Sequence, residues 1–389
     1  MPKSVTISLA ALATLALSAC VVGPTTQAPT HSSDTIQQEE RYQRQLAFKQ
    51  NLSLDHRLQT LSWPILAANT EFCGEKISHA LPVGLTQRKN VAPEWKDAWA
   101  DTFPDTPNPV IHGVWTEDTP LQINDEIISV SIEGADSNSE GDGDNDGAEN
   151  DEEDNTLNSQ RITKLARDGK PLNFTVKRDN EELQITTTPV AVCDYPVILE
   201  NNDALNAYAT GHSIHFFSGF MKRAPNDLAI AVIVGHELAH NTRDHVSAQQ
   251  INTISGAILG GVIGVLIGDA TDRSKTSGGV TGAQIGATIS SLHHSQGFEN
   301  EADYIGLYHT ARAGYDITNA ADLWRWFAAN TPGAIGLRAG STHPSSVERY
   351  LNVDAAVAEI ARKKSEGLPL VPDEGRRQAL SESESDEQG

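Results

Sequence analysis

The stretch from Asn226 to His240 limits the fold more than any other part of the chain. Leu228, Ala229, Ile230, Ala231, Val232, Ile233 and Val234 lead with one interruption, Gly235, into His236-Glu237-Leu238-Ala239-His240. Pro225-Asn226-Asp227 just before supplies a helix start, with Asn226 as N-cap and Asp227 in the first turn. A helix that is apolar nearly all round is buried, so a core has to be built around it. Residues four apart share a helix face, so the imidazoles of His236 and His240 can reach one ion. Glu237 is turned by about one helical step from that pair, which suits a base acting on water rather than a ligand. Zinc accepts neutral imidazole nitrogen, and a catalytic zinc needs three protein ligands and an open position. The competing reading is a core helix with two satisfied histidines, and the motif alone does not exclude it.

A third ligand has to be found elsewhere. A site of the HExxHxxGxxH kind needs Gly at 243 and His at 246, where this chain has Arg243 and Val246. His245 misses by one position and reads as a surface residue. A carboxylate on a later helix is the usual solution. Phe298-Glu299-Asn300-Glu301-Ala302-Asp303 opens a helix expected to run to about Arg312 and stop at Gly314. Glu299 and Asp303 are four apart on one face, so one can ligate while the other holds an imidazole through its second nitrogen. Acidic residues near a helix start also simply favour its dipole. A third cluster, Thr342-His343-Pro344-Ser345-Ser346-Val347-Glu348-Arg349, sets a histidine six residues before an arginine.

HExxH at 236–240, ExxxD at 299–303 and His343-Pro344 followed by Arg349 together resemble the HtpX-type gluzincin zinc metallopeptidases. That family includes the CAAX prenyl proteases and periplasmic proteases of outer-membrane assembly. Leu205 to Ala209 with Ile214 to Gly219 resembles its strand pair ahead of the zinc helix. Glu301 to Gly306 with Ala313 to Asp316 resembles its third-ligand helix and exit. The resemblance implies one zinc ion held by His236, His240 and Glu299, with Glu301 in reserve as the carboxylate ligand. It implies Glu237 as catalytic base, Asp303 and Arg349 as supports, and His343 facing the metal. His343 then either steadies the oxyanion or fills the open position in a latent state. Asn206, Ala207 and Tyr208 are expected to offer an edge strand to an extended substrate. The family's arginine-rich entry to the third-ligand helix is replaced here by Ser295-Gln296-Gly297-Phe298.

The 389 residues suggest two domains plus tails, and the expected fold class is α+β. A mainly β PDZ-like domain (71–194) precedes a mainly α-helical HExxH zinc metallopeptidase domain with a small edge sheet (195–365). Leu121 to Val130 resembles the PDZ stretch written GDxIxxVNG, with Asn124 in place of the usual Gly, and 169–178 with 182–186 resembles its last strand pair. Residues 36–70 read as a helical segment, ending near Pro64, that packs on the catalytic domain. Residues 133–156 form an acidic insert read as disordered and solvated. Within it Asp142 to Glu153 fits a calcium-loop spacing, yet no amphipathic helices flank it. Within residues 254–290, Gly256, Gly260, Gly264 and Gly268 and then, after a polar turn at 269–277, Gly278, Gly282 and Gly286 recur every four residues, which suits a tightly packed helical hairpin or a dip into the membrane interface. Residues 366–389 read as an acidic disordered tail.

Lys3, the apolar run Ile7 to Leu17 and Leu17-Ser18-Ala19-Cys20 resemble a bacterial lipoprotein signal of residues 1–19. This implies cleavage before Cys20, acylation of that cysteine and a flexible tether over 20–35. Val21 rather than Asp then directs the chain, by the same resemblance, to the periplasmic side of the outer membrane. In that oxidising compartment Cys73 and Cys193 read as a disulfide, two buried thiols being the alternative. A net charge of −23 argues against nucleic acid as a partner. The resulting expectation is a lipid-anchored periplasmic zinc endopeptidase for unfolded or misassembled envelope proteins. The rival is a non-catalytic chaperone or assembly factor with a plugged or structural zinc site. A membrane-embedded prenyl protease is disfavoured by the lack of a series of spanning segments.

Overall fold

One helix face sets the packing of the N-terminal part. In helix α1 (Ser33–Ala68), Leu54, Leu58, Leu61 and Ile65 recur at the spacing of one face and are buried. The computed structural model describes residues 26, 28–134, 157–248, 296–330 and 347–373. The chain divides into two compact units, 1–43 and 44–389. The described part of the first is chiefly the leading turns of α1, solvent-exposed throughout.

Within the second unit α1 runs past Pro64, where the sequence reading had it end. Proline removes one helical hydrogen bond, but burial of Ile65 and Leu66 in the main core keeps the helix going to Ala68. The Asn69 side-chain amide then donates to the carbonyls of Ile65 (2.8 Å) and His309 (3.0 Å), fastening the end of α1 to the later helices.

Next comes a β-rich segment. Strand β1 (Ile77–Ala80) is followed by β2 (Val83–Thr86), helix α2 (Lys96–Ala100), β3 (Val110–Val114), β4 (Glu126–Ile132), helix α3 (Ser159–Ala166), β5 (Leu172–Arg178), β6 (Glu181–Thr187) and β7 (Val190–Cys193). Strands β2-β3-β4-β5-β6 form an antiparallel five-stranded sheet in that order, and β1 pairs with β7 separately. Ile111, Ile127, Phe174 and Val176 of the sheet enclose Ile162 of α3 in a core of their own. Asn124 sits at φ 74°, the left-handed conformation that Gly or Asn tolerates. That explains how it stands where glycine was expected. Asp125 beside it is fully buried and takes two 2.7 Å hydrogen bonds from the Arg178 guanidinium, locking the turn to β5. Cys73 and Cys193 are joined by a disulfide that closes this segment at its base.

The remaining elements build the main core. Strand β8 (Val197–Glu200), β9 (Ala207–Ala209) and β10 (Ile214–Phe217) form a three-stranded sheet in the order β8-β10-β9. β10 runs parallel to β8 and antiparallel to β9, which leaves β9 at the edge. Helices α4 (Ser218–Arg223) and α5 (Asp227–Thr242) pack against it, α6 (Gln296–Arg312) packs on α5, and α7 (Asp322–Asn330) and α8 (Val347–Ser365) complete the same core. Residues 366–373, expected within the disordered tail, instead fold back. The buried ammonium of Lys363 donates to the Val371 carbonyl and to Asp373, each at 2.7 Å, and the Asp373 amide donates to the Tyr304 hydroxyl. Among the described residues no helix is long and apolar enough to cross a membrane. Cys20, the calcium-loop spacing at Asp142 to Glu153, the Gly-rich run 254–290 and His343 lie outside the described residues.

Candidate metal centre

Helix α5 carries the site because its start is capped and its body is apolar. The Asn226 side chain accepts from the Ala229 amide at 2.9 Å, and every residue from Ala229 to Asn241 is buried. His236 and His240 thus project from a helix that has no freedom to shift. Their Nε2 atoms stand 3.1 Å apart. Glu299 on α6 completes the group, with Oε2 3.6 Å from His236 Nε2 and Oε1 3.4 Å from His240 Nε2. All three side chains are buried. Ligands held at 2.0–2.1 Å around a tetrahedral centre stand about 3.3 Å from one another. The donor set, two imidazole nitrogens and a carboxylate at those separations, therefore fits zinc in chemistry and in size. Among the described residues this is the one group of its kind.

The surrounding charges hold that set in place. Asp303 Oδ1 lies 2.9 Å from His236 Nδ1. Arg349 donates from Nε and Nη2 to both Asp303 oxygens at 2.7 Å, and its Nη1 lies 3.0 Å from Glu299 Oε2. Burial works against a charged His236, yet its hydrogen bonds to the Asp303 and Glu299 carboxylates overcome that and push the ring up to about 9. Burial likewise opposes a charged Asp303, and the Arg349 charge, its hydrogen bonds and His236 together hold that carboxyl below the usual carboxylate range.

Residues 172–357, from β5 into α8, match Peptidase family M48. The chain carries a domain of peptidase family M48. Its relatives include the beta-barrel assembly-enhancing protease of Yersinia pestis, 28% identical over 121 residues, which are 30% of this chain and 25% of that protein. The mitochondrial metalloendopeptidase OMA1 of Arabidopsis thaliana is 27% identical over 174 residues, 44% of this chain and 34% of the relative. OMA1 of Saccharomyces cerevisiae is 28% identical over 152 residues, 37% and 40% respectively. The chain thus spans between a quarter and two fifths of the length of these relatives.

In the M48 domain His236, Glu237, His240, Glu299, Asp303 and Arg349 come together in one buried cluster. Glu301 does not join the donor group. It is about one third exposed and faces His245, with Oε2 3.3 Å from His245 Nε2. His245 itself corrects the sequence reading, being 2% exposed rather than a surface residue. Asp244 adopts a left-handed conformation (φ 52°) that turns the chain just past the end of α5, bringing His245 Nδ1 within 3.0 Å of His240 Nδ1. Ala207 and Tyr208 lie on edge strand β9, with Asn206 just before it. Asn241, which sequence reasoning passed over, accepts from the Gly211 amide at 2.7 Å and donates to the Ser213 carbonyl at 3.1 Å. It thereby ties the β9–β10 turn to the end of α5.

Two further features of the M48 domain concern how α5 meets α6. Gly235 and Gly306 face each other where the helices cross, and a Cβ on Gly306 would lie 2.7 Å from the backbone N and Cα of His236. Alanine gains about 1 kcal/mol in helix propensity, but backbone cannot move aside as a flexible side chain would. Gly306→Ala is therefore expected to lower stability by about 1–3 kcal/mol. It should also weaken zinc uptake by displacing Glu299, and chemical unfolding with metal titration checks both.

The second feature is His309, fully buried on α6, with Nδ1 3.3 Å from the Gly235 carbonyl. Burial outweighs the opposing hydrogen bond to Gly235 and, with smaller contributions from the charges of Arg243 and Arg312, pushes its pKa down to about 4. A histidine that is harder to protonate folded than unfolded contributes stability that is full above pH 6.5 and is lost as pH falls towards 4. At about 1.4 kcal/mol per unit, the expected loss over that window is about 3 kcal/mol. His309→Gln should flatten that part of the stability–pH curve in urea titrations. An unchanged curve would assign the acid sensitivity to other groups.

Proposed function

We propose that this chain is a zinc-dependent endopeptidase that hydrolyses protein substrates of the bacterial envelope. The observation that carries the reading is the buried His236–His240–Glu299 donor set with Glu237 adjoining it on the same helix. The M48 domain supports proteolysis, and the relatives named as beta-barrel assembly-enhancing proteases support envelope proteins as substrates. His236, His240 and Glu299 would hold the metal. When bound, zinc supplies Lewis acidity that activates water and polarises the scissile carbonyl. Glu237 takes the proton of the attacking water and delivers it to the leaving amine. Asp303 keeps the second nitrogen of His236 occupied, which fixes the ring, and Arg349 keeps Asp303 and Glu299 in place. His343 is assigned to the oxyanion or to a resting block of the open position.

Edge strand β9, with Asn206, Ala207 and Tyr208, takes an extended substrate by strand addition, and Asn241 keeps that edge in register with the ligand helix. The preceding sheet is assigned as a PDZ-like module. Its edge strand β2 and helix α3 border a groove of about 400 Å³ lined by Val83, Leu85, Thr163, Lys164 and Arg167. Acylation of Cys20 anchors the chain on the periplasmic face of the outer membrane. The deciding experiment is incubation of the purified chain with a denatured outer-membrane β-barrel protein. Fragments should form with zinc, cease with chelator and return on adding zinc back. A zinc-loaded protein that binds the substrate without cutting it would favour a chaperone.

A further inference from the structure

We propose that His245 and Glu301 form a relay that fixes the ring of His240 for metal binding, a positioning role that rests on the zinc-centre reading above. His240 turns Nε2 to the donor set, 3.1 Å from His236 Nε2 and 3.4 Å from Glu299 Oε1. Its other nitrogen, Nδ1, lies 3.0 Å from Nδ1 of His245. His245 Nε2 in turn lies 3.3 Å from Oε2 of Glu301. The ring of Phe298 stacks on His245 with centroids 4.7 Å apart and planes 24° from parallel, which holds the intervening imidazole in orientation.

Proton bookkeeping leaves one arrangement. A ligating imidazole offers the Nε2 lone pair, so its proton sits on Nδ1. That Nδ1–H donates to Nδ1 of His245, which must then carry a lone pair. The proton of neutral His245 is thereby placed on Nε2, where it faces the carboxylate of Glu301, a group that only accepts. The reverse assignment, with the proton on His245 Nδ1, would make His240 Nδ1 the acceptor and put a proton on the nitrogen that faces the donor set. Glu301 therefore sets the tautomer of His245, and His245 sets that of His240.

The two ligating histidines are served by one helix in two ways. His236 reaches a carboxylate directly, through Asp303. His240 reaches one through the interposed ring of His245. Glu299, Glu301 and Asp303 all belong to α6. Residues two apart on a helix point to different faces, so Glu301 cannot share the direction of Glu299. An intermediary is what lets it act on the same centre. Groups that hold the second nitrogen of a ligating histidine typically contribute 10- to 100-fold in metal affinity.

The test measures zinc affinity of the full chain by chelator competition, independently of turnover. Glu301→Ala and His245→Phe should each bind zinc about 10- to 100-fold more weakly than wild type. Glu301→Gln, whose amide oxygen still accepts, should recover most of the affinity. Phenylalanine preserves the ring stacked on Phe298, so the metal-free melting temperature reports any loss that is merely structural. The double variant His245→Phe/Glu301→Ala should be no weaker than His245→Phe alone, because the two residues act in one chain. In wild type, the proton on His240 Nδ1 should give a slowly exchanging ring N–H resonance that Glu301→Ala shifts. Wild-type affinity in Glu301→Ala, a Gln variant as weak as Ala, or penalties that simply add would each overturn the relay. A wild-type chain that takes up no zinc would overturn the metal centre and the relay with it.

Discussion

Glu237→Gln is expected to leave zinc bound and the fold intact while peptide hydrolysis falls by about 10²- to 10⁴-fold. The substitution keeps the size and shape of a side chain that is 1% exposed inside α5, so packing offers no reason for loss. What disappears is the only property a glutamine cannot reproduce, the ability to take a proton and return it. Proton transfer by a positioned carboxylate contributes a factor of that order. Glu237 does not belong to the His236–His240–Glu299 donor set, so metal content should match wild type. Glu299→Gln is the contrast: it weakens a ligand and should lower zinc content and turnover together. Measuring both quantities on both variants separates a base from a ligand. Equal turnover by wild type and Glu237→Gln would eliminate the proposed mechanism.

Local rules made the ligand helix readable. An Asx cap at Asn226, an apolar body and histidines four apart depend on nothing beyond a single helix, and α5 has that form. Glu299 and Asp303 were accessible for the same reason, because spacing on one helix decides which side chains share a face. The left-handed turn at Asn124 could also be anticipated, since asparagine is the usual substitute for glycine there. Features that depend on two elements meeting were out of reach. The burial of His245 follows from a turn at Asp244 and from Phe298 and Glu301 on another helix. The crossing of Gly235 and Gly306 requires knowing which helix lies against which. Passage of α1 through Pro64 was missed because the propensity argument against proline is local, whereas the burial that outweighs it is tertiary. A partial signal for His245 did exist, a histidine just past HExxH in a chain short of ligands. Its position is out of register for direct ligation, and spacing alone does not show that it reaches the centre through another ring.

Arg349→Met should destabilise the metal-free protein by about 3–5 kcal/mol, the cost of removing one partner from a buried ion pair. Arg349 is 4% exposed and is placed by α8, remote in sequence from both carboxylates it serves. It grips Asp303 with two parallel hydrogen bonds, reaches Glu299 with a third nitrogen and lies over the Trp324 ring at 4.7 Å. Methionine fills similar volume but leaves the carboxylates of Asp303 and Glu299 buried beside each other. Arg349→Lys retains charge without the planar fork and should fall between wild type and Met. The consequence extends to the metal. With the arginine charge gone, the influence that holds the Asp303 carboxyl below its usual range disappears, and its grip on His236 Nδ1 loosens. Zinc affinity should fall along with stability, by about 10- to 100-fold. Urea unfolding in chelator isolates the first effect, and chelator competition reads the second. Wild-type stability in Arg349→Met would mean that the carboxylates are satisfied some other way, and that α8 contributes packing rather than charge to the centre.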